Sequence, residues 1–433
     1  MKILITNIVT LNAGDAAILY GMIDVLRAAF GKDTHFIVYD KNGREPGRYY
    51  PDVVFRRFLY LTRQEHPLST ARFANRLLRG VDAKRFRIGL WAIKHHVPLL
   101  PRAFLTAEER QTLLDYSTAD LIISSGGTYL VEIYPFDARI FDYQVSLYLE
   151  KPLVFFTQSL GPFSNASNRG SLLPIFNQSL LIMVRDEKSR QHLVDLGVNN
   201  NNVHVRADAA FALSDVCAVE AAKQQIFAPG KPLKVAISVR EWSHFKTVPP
   251  IDGMRRFKEA LQTLTRHLVE KYDAKVTYLS TCQGMPEYRT DDSELATTIV
   301  EGLDESVRNS VVVDSDFHHP AVLATMLKDY DLVIATRMHM AILSLAVGTP
   351  VLPIAYEFKM KELFERLGQG DWVQEIENIT GTSLAEGVDH ILEELPNVRA
   401  NFFRAVQDEH ENALASGELV KQAFEEWRRV RGE

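Results

Sequence analysis

The sequence is poor in cysteine. Cys217 and Cys282 are the two it has in 433 residues. Two thiols exclude a disulfide framework and a cysteine-based metal motif, and they fit a reducing compartment. The chain also lacks a positive balance: 49 Lys and Arg face 55 Asp and Glu, a formal charge of −6. That sign gives no long-range attraction to a polyanion, so no nucleic-acid partner is expected. Long apolar runs are missing as well. The most apolar region is interrupted by Gly348, Pro350 and Pro353, so no bilayer-spanning segment is expected. The opening run MKILITNI has strand length and leads into a Gly14-Asp15 turn, unlike a signal peptide. A cytoplasmic protein is expected, which would leave the Asn165-Ala166-Ser167 sequon unused. No metal-ligand spacing is visible, and no metal or cofactor is expected.

What is present is an ordinary globular balance, with 46% hydrophobic residues, enough to build more than one core. Short β-branched runs alternate with helical periodicity, the pattern of parallel βαβ units. The first series places strands at Lys2–Ile8, Thr34–Tyr39, Asp120–Ser125, Leu153–Gln158, Leu181–Val184 and Val203–Arg206. The second places them at Lys234–Val239, Lys275–Ser280, Ser310–Asp314, Asp331–Ala335 and Pro350–Ala355. The polar stretch Ala218–Pro232, ending FAPGKP, reads as the join. The expected division is residues 1–217 with a helical basic insertion at about 50–105, then 218–396, then a helical tail 397–433 crossing both domains. The fold class is α/β and GT-B-like: two Rossmann-like domains whose parallel sheets face an interdomain cleft. Such sheets bind ligands beyond the carboxyl ends of their strands.

Charged residues gather at those ends. In DLVIATRMH, a buried strand finishes at Thr336, and Arg337 and His339 open the next helix. A helix N-terminus collects N–H donors and a positive dipole end, and Arg adds a planar fork for phosphate or carboxylate. His can exchange a proton near neutral pH. Lys359 follows the next predicted strand, at the same sheet edge. The plainer alternative pairs Arg337 with a neighbouring carboxylate and makes His339 a helix cap. In LIMVRDEKS, Arg185 follows a buried strand, with Asp186 or Glu187 as alternative partners. LIISSGGTYL runs a strand into Gly126-Gly127, where a ligand can approach the backbone closely.

The ordered set NAGDAAIL, SSGGTYL, TQSLGPF, VRDEKS, ADAAF, TRMH and GTPV through EFK resembles the polysaccharide pyruvyl transferase family over about Met1 to Gly368. Tyr49–Thr106 carries no family landmark, and the glycine cluster has two glycines where three are common. The resemblance implies transfer of a pyruvyl group from phosphoenolpyruvate to two hydroxyls of a sugar, giving a cyclic ketal and phosphate. It implies donor binding or activity for Arg185, His339 and Lys359, with Arg337 beside them. The donor carries about three negative charges at neutral pH, which Arg185, Arg337 and Lys359 could neutralise. His339 is expected as the acid or a phosphate ligand. Asp15 and Glu132 are the nominated bases, although Asp15 in a first helical turn also suits the helix dipole.

Ala71–Leu105 holds Arg72, Arg76, Arg79, Lys84, Arg85, Arg87, Lys94 and Arg102 against one acid, Asp82, with Phe73, Phe86, Trp91 and Phe104 between them. A basic, aromatic helix suits an anionic membrane face and a lipid-linked acceptor. The alternative is a helical insertion with solvated arginines. A second functional class, a nucleotide-sugar-dependent GT-B glycosyltransferase, would share the fold; no acidic residue is evident for its ribose.

Overall fold

The computed structural model describes residues 1–64, 72–225 and 231–432, with backbone alone at 64 and 72–80. Part of the proposed join, 226–230, and the start of the basic segment, including Ala71, lie outside the described residues. The chain forms two compact units. Unit 1 comprises Met1–Val9, Leu26–Arg206 and Ser416–Glu433; unit 2 comprises Thr10–Val25 and Ala207–Ala415. The sequence reading gave Thr10–Val25 to the first domain, whereas its contacts group it with unit 2.

Unit 1 contains β1 (Lys2–Ile8), β2 (His35–Asp40), β3 (Val54–Arg57), β4 (Leu121–Ser124), β5 (Gly127–Leu130), β6 (Leu153–Leu160), β7 (Leu181–Val184) and β8 (Val203–Val205). They line up as β3-β2-β1-β4-β6-β7-β8, with β5 also pairing β6, and every pairing is parallel. β4, β6 and β7 are buried along their whole length. That explains their continuous apolar reading: helices cover both faces of a parallel sheet. Phe155, Phe176, Tyr143, Leu113 and Ile122 anchor this core.

Unit 2 contains β9 (Lys234–Ser238), β10 (Lys275–Tyr278), β11 (Val311–Val313), β12 (Leu332–Ala335), β13 (Val351–Ala355) and β14 (Gln374–Glu375). Their order is β11-β10-β9-β12-β13-β14, again all parallel. Counted within the unit this is 3-2-1-4-5-6, the doubly wound order, whose ligand crevice lies where the winding reverses, outside β9 and β12. Two Rossmann-like units of parallel α/β sheet are thus the fold.

The last helix, Gly381–Arg431, is longer than expected and runs through Pro396. Leu384, Val388, Ile391, Leu395, Phe402 and Val406 recur at helical spacing and are buried in the unit 2 core. Its final residues, from Ser416, belong to unit 1, where Phe424 meets Phe30 edge-on at 5.9 Å. Among the described residues no helix is long and apolar enough to cross a membrane.

Candidate active site

In unit 2 the helix Met338–Leu345 starts three residues after β12 ends, with Thr336 and Arg337 between them and Arg337 at the N-cap position. Arg337 is buried. Its Nε and Nη2 reach Asp292 Oδ2 and Oδ1 at 2.8 and 2.6 Å, a bidentate fork. Burial works against its charge, but the Asp292 carboxylate more than offsets this and holds its pKa well above the ordinary guanidinium value. Asp292 sits in the first turn of the helix Asp292–Glu301 and also accepts from Ser280 Oγ at 2.5 Å. Arg337 therefore takes the carboxylate partner of the plainer sequence reading.

His339 lies in the first turn of its helix. Its Nε2 is 3.4 Å from Asp208 Oδ2, close enough for charge attraction when protonated, yet without hydrogen-bond geometry. Asp208 also caps the short helix Ala209–Leu213 through Ala210 N–H at 3.0 Å. On its other side His339 touches the chain's first helix, Ala13–Phe30. A Cβ placed on Gly14 would stand 2.8 Å from His339 Cβ and 2.9 Å from Nδ1. A side chain at residue 14 could not coexist with this ring position. The helix start is held there by Ala13 N–H donating to Thr281 O at 2.9 Å. Asp15, in the same first turn, is half-buried. The charges of Arg337, Asp292, Asp15 and Arg240 all act on Cys282, whose thiol burial pushes up to about 12. These groups share one neighbourhood.

Lys359, in the first turn of the helix Phe358–Arg366 after β13, pairs with Glu357 at 2.9 Å and lies 5.6 Å from the Tyr356 ring centre. Unit 2 thus brings Asp15, Arg337, His339 and Lys359 to the carboxyl side of its sheet.

Unit 1 holds the other nominated residues. Arg185 follows β7 and is 2% exposed; its Nε donates to Ser159 Oγ at 2.7 Å and Nη2 to Thr128 Oγ1 at 2.5 Å. The adjacent Asp186 caps the helix Glu187–Leu196 through Ser189 N–H at 2.6 Å and accepts from Ser159 Oγ at 2.5 Å. Glu187 pairs with Arg190. Gly126 and Gly127 connect β4 to β5. Gly127 has φ of 121°, and the space a side chain would need is taken by the Tyr129 ring, 2.7 Å from a would-be Cβ. Glycine at this position leaves room for the Tyr129 ring.

A family model described as polysaccharide pyruvyl transferase matches residues 12–357. The chain belongs to the polysaccharide pyruvyl transferase family. This pyruvyl transferase family member is also similar to the amylovoran biosynthesis protein AmsJ of Erwinia amylovora, with 24% identity over 94% of this chain and 96% of that protein. Among solved structures it resembles Anabaena Alr3699/HepE in complex with UDP, with TM-score 0.52, 13% identity, and 98% and 100% of the two chains covered. Sucrose-phosphate synthase from Thermosynechococcus elongatus gives 0.51 at 12% identity, covering 100% and 99%. The UDP-GlcNAc 2-epimerase of Neisseria meningitidis gives 0.52 at 12% identity, covering 99% and 100%. At such low identity these three show the shared GT-B-like fold alone.

Glu132 of this pyruvyl transferase accepts from Ser164 Oγ, from Asn165 N–H at 2.8 Å and from Asn168 Nδ2 at 3.3 Å, fastening the start of the helix Ala166–Gln178. Partial burial raises its pKa, but those bonds outweigh it and pull it to about 2. A carboxylate so stabilised is a poor proton acceptor near neutral pH.

Three residues of the transferase escaped sequence reading. Asp292 is 45 positions from Arg337 and carries no local signal. Asp208 stands inside the quoted ADAAF block without having been singled out. Arg240 lies two residues beyond β9, the position that drew attention to Arg185 and Arg337 after other strands. Arg240 Nη1 donates to Tyr356 Oη, and its guanidinium is 4.4 Å from the Tyr356 ring centre and 5.5 Å from that of Trp242.

In the insertion, Arg85 is ion-paired with Asp82 and Glu109, each at 2.8 Å, and also donates to Phe104 O. Phe86 is buried under Arg63, whose guanidinium is 4.0 Å from the ring centre. Lys94 pairs with Glu150 at 2.7 Å. Lys84, Arg87, Ile88 and Trp91 are exposed on one face of the helix Arg72–Lys94. The side chains of Arg72, Phe73, Arg76 and Arg79 lie outside the described residues.

Proposed function

We propose that this protein transfers the pyruvyl group of phosphoenolpyruvate to two hydroxyls of a sugar in a polysaccharide or its precursor, releasing phosphate. The observation that carries this is His339, poised 3.4 Å from Asp208 and grouped with Arg337 and Lys359 at the sheet's carboxyl side. In the first step a proton adds to the donor's methylene carbon and one sugar oxygen bonds to C2. In the second, the other hydroxyl oxygen displaces phosphate from C2. One hydroxyl proton ends on the new methyl group and the other on phosphate. His339 delivers and recovers the proton, with the Asp208 carboxylate 3.4 Å from its Nε2. Asp15 is a candidate base. Lys359 offsets donor charge, and Arg337 is fixed for contact by Asp292. The resemblance of VRDEKS to the family motif makes Arg185 a candidate for donor binding as well.

Calorimetry with phosphoenolpyruvate tests this reading. Arg185→Ala should weaken donor binding by about 1.5–3 kcal/mol, the worth of a hydrogen bond to a charged group. Unchanged affinity would remove Arg185 from donor binding. A thermal shift screen separates the rival class. Stabilisation by nucleotide sugars and not by phosphoenolpyruvate would favour a glycosyltransferase.

The acceptor is proposed to be lipid-linked, reached at the inner face of the cytoplasmic membrane through the exposed face of the helix Arg72–Lys94. Lys84, Arg87, Ile88 and Trp91 supply charge and an aromatic anchor there. Each basic residue at an anionic leaflet contributes about 1 kcal/mol. Lys84→Glu with Arg87→Glu should reduce co-sedimentation with anionic vesicles, as added salt should. Arg85 is unsuitable for this test because its ion pairs hold the fold. Equal binding to neutral vesicles would contradict the proposal.

A further inference from the structure

Arg337 and Arg240 occupy matching places in unit 2. Each lies two residues past its strand, Arg337 past β12 and Arg240 past β9. Those two strands flank the winding reversal of the 3-2-1-4-5-6 sheet, where doubly wound folds take their ligands. Their partners differ. Arg337 is gripped at two points by Asp292, so its charge is compensated within the protein. Among the described residues Arg240 meets no carboxylate. Its contacts are the Tyr356 hydroxyl and the faces of Tyr356 and Trp242.

Those contacts do what a binding arginine requires. Two aromatic rings, 4.6 Å apart between centres, fix the plane of the guanidinium without neutralising it. A second group beside it lacks a partner. Trp242 is 7% exposed, and among the described residues its indole Nε1–H has no acceptor. A buried indole N–H ordinarily finds one. An uncompensated guanidinium beside an unanswered buried donor calls for oxygen atoms bearing negative charge. The influence of Arg240, Arg337, Asp292 and Asp15 on the same thiol, Cys282, places Arg240 with the other site residues.

We propose that Arg240 is a binding residue for an oxyanion of the donor substrate, carried on a Tyr356–Trp242 platform, with the Trp242 N–H as an accompanying donor. The inference rests on the phosphoenolpyruvate reading for the identity of the ligand, and on unit 2 alone for the site. Arg240 supplies the uncompensated positive charge that the sequence had assigned to Arg337. Its planar fork can engage two oxygens of either the phosphate or the carboxylate.

The test is calorimetry on the full chain with phosphoenolpyruvate, inorganic phosphate and pyruvate as separate probes. Arg240→Ala should weaken phosphoenolpyruvate binding by at least about ten-fold, the loss expected for one charge-assisted contact. Arg240→Lys should fall between, because it keeps the charge and loses the fork. Arg255→Ala, an exposed cation, serves as control and should bind like wild type. Parallel loss of the phosphate probe assigns Arg240 to the phosphate; parallel loss of pyruvate assigns it to the carboxylate. Affinities within two-fold of wild type for all three probes, in folded Arg240→Ala and Arg240→Lys, overturn the proposal. If wild type ignores phosphoenolpyruvate but binds phosphate in an Arg240-dependent way, the donor reading fails and the oxyanion site stands. If wild type binds none of the probes, both fall.

Discussion

The sheet ends of the two units are built from different chemistry. In unit 1 the groups are largely neutral: Asn7 Nδ2 reaches Ser124 Oγ at 3.3 Å, Gln158 Nε2 reaches the same oxygen at 2.6 Å, and Tyr143 Oη meets it at 2.7 Å. Even Arg185 donates there to two hydroxyls. In unit 2 the corresponding groups are ionic: Arg337 with Asp292, His339 near Asp208, Lys359 with Glu357. Amides and hydroxyls match the hydrogen bonding of a polyol, whereas opposed charges position groups for an anion and a moving proton. The contrast comes from the residues at the strand ends, not from the strands.

The contrast can be broken most strongly at His339. His339→Ala should lower kcat by about 10²–10⁴-fold with a melting temperature near wild type. A large melting loss with near-normal turnover by the folded fraction would make it a structural cap. Next is Asp292→Ala, which strands the buried Arg337 charge and should cost on the order of 3–5 kcal/mol. Thermal denaturation should show a drop of roughly 10 °C. No drop would mean that Arg337 escapes to water. Gly14→Ala should act through His339. Displacing a reacting group by about 1 Å can cost around 10²-fold in rate, so activity should fall much further than stability. Wild-type activity would show that the ring has room to move.

Unit 1 offers a smaller test. Asp142 is fully buried, with Thr6 Oγ1 at 3.4 Å, and burial pushes its carboxyl up to about 7 from 3.8. Between those values the folded chain holds a proton that the unfolded chain has released. Its contribution is therefore complete below about pH 3.8 and is lost as pH rises through about 7. Asp142→Asn should raise the melting temperature relative to wild type at pH 8, with the gain shrinking toward pH 4. A gain of equal size at both pH values would contradict the burial argument.

Much of this architecture is legible in the residues. β1 and β7 have the expected bounds, because LIMV and KILITNI are uninterrupted buried runs. β3, β5 and β14 were not anticipated. VFRR and QE are short and polar enough to pass for loop, and GTYL begins at a glycine that also suits a turn. The helical tail begins at Gly381 instead of Asn397, since Pro396 disguises a helix that tertiary packing sustains. At the site, cations following buried strands are visible in one dimension. Their compensating acids are not. Asp292 and Asp208 reach Arg337 and His339 only through the sheet's winding, and without them a neutralised arginine looks the same as an available one.

Neither unit is one continuous stretch of chain. Unit 2 includes Thr10–Val25, made before the bulk of unit 1, and unit 1 includes Ser416–Glu433, made after the bulk of unit 2. A ribosome releases the N-terminal portion of a protein first, at about 5–20 residues per second. The bulk of unit 1 therefore emerges without its closing helical segment. The segment bearing Gly14 and Asp15 must wait for Thr281 and His339 to be translated before it can dock. The candidate site of unit 2 consequently cannot form before His339 has been made, and a chain that stops earlier cannot assemble it.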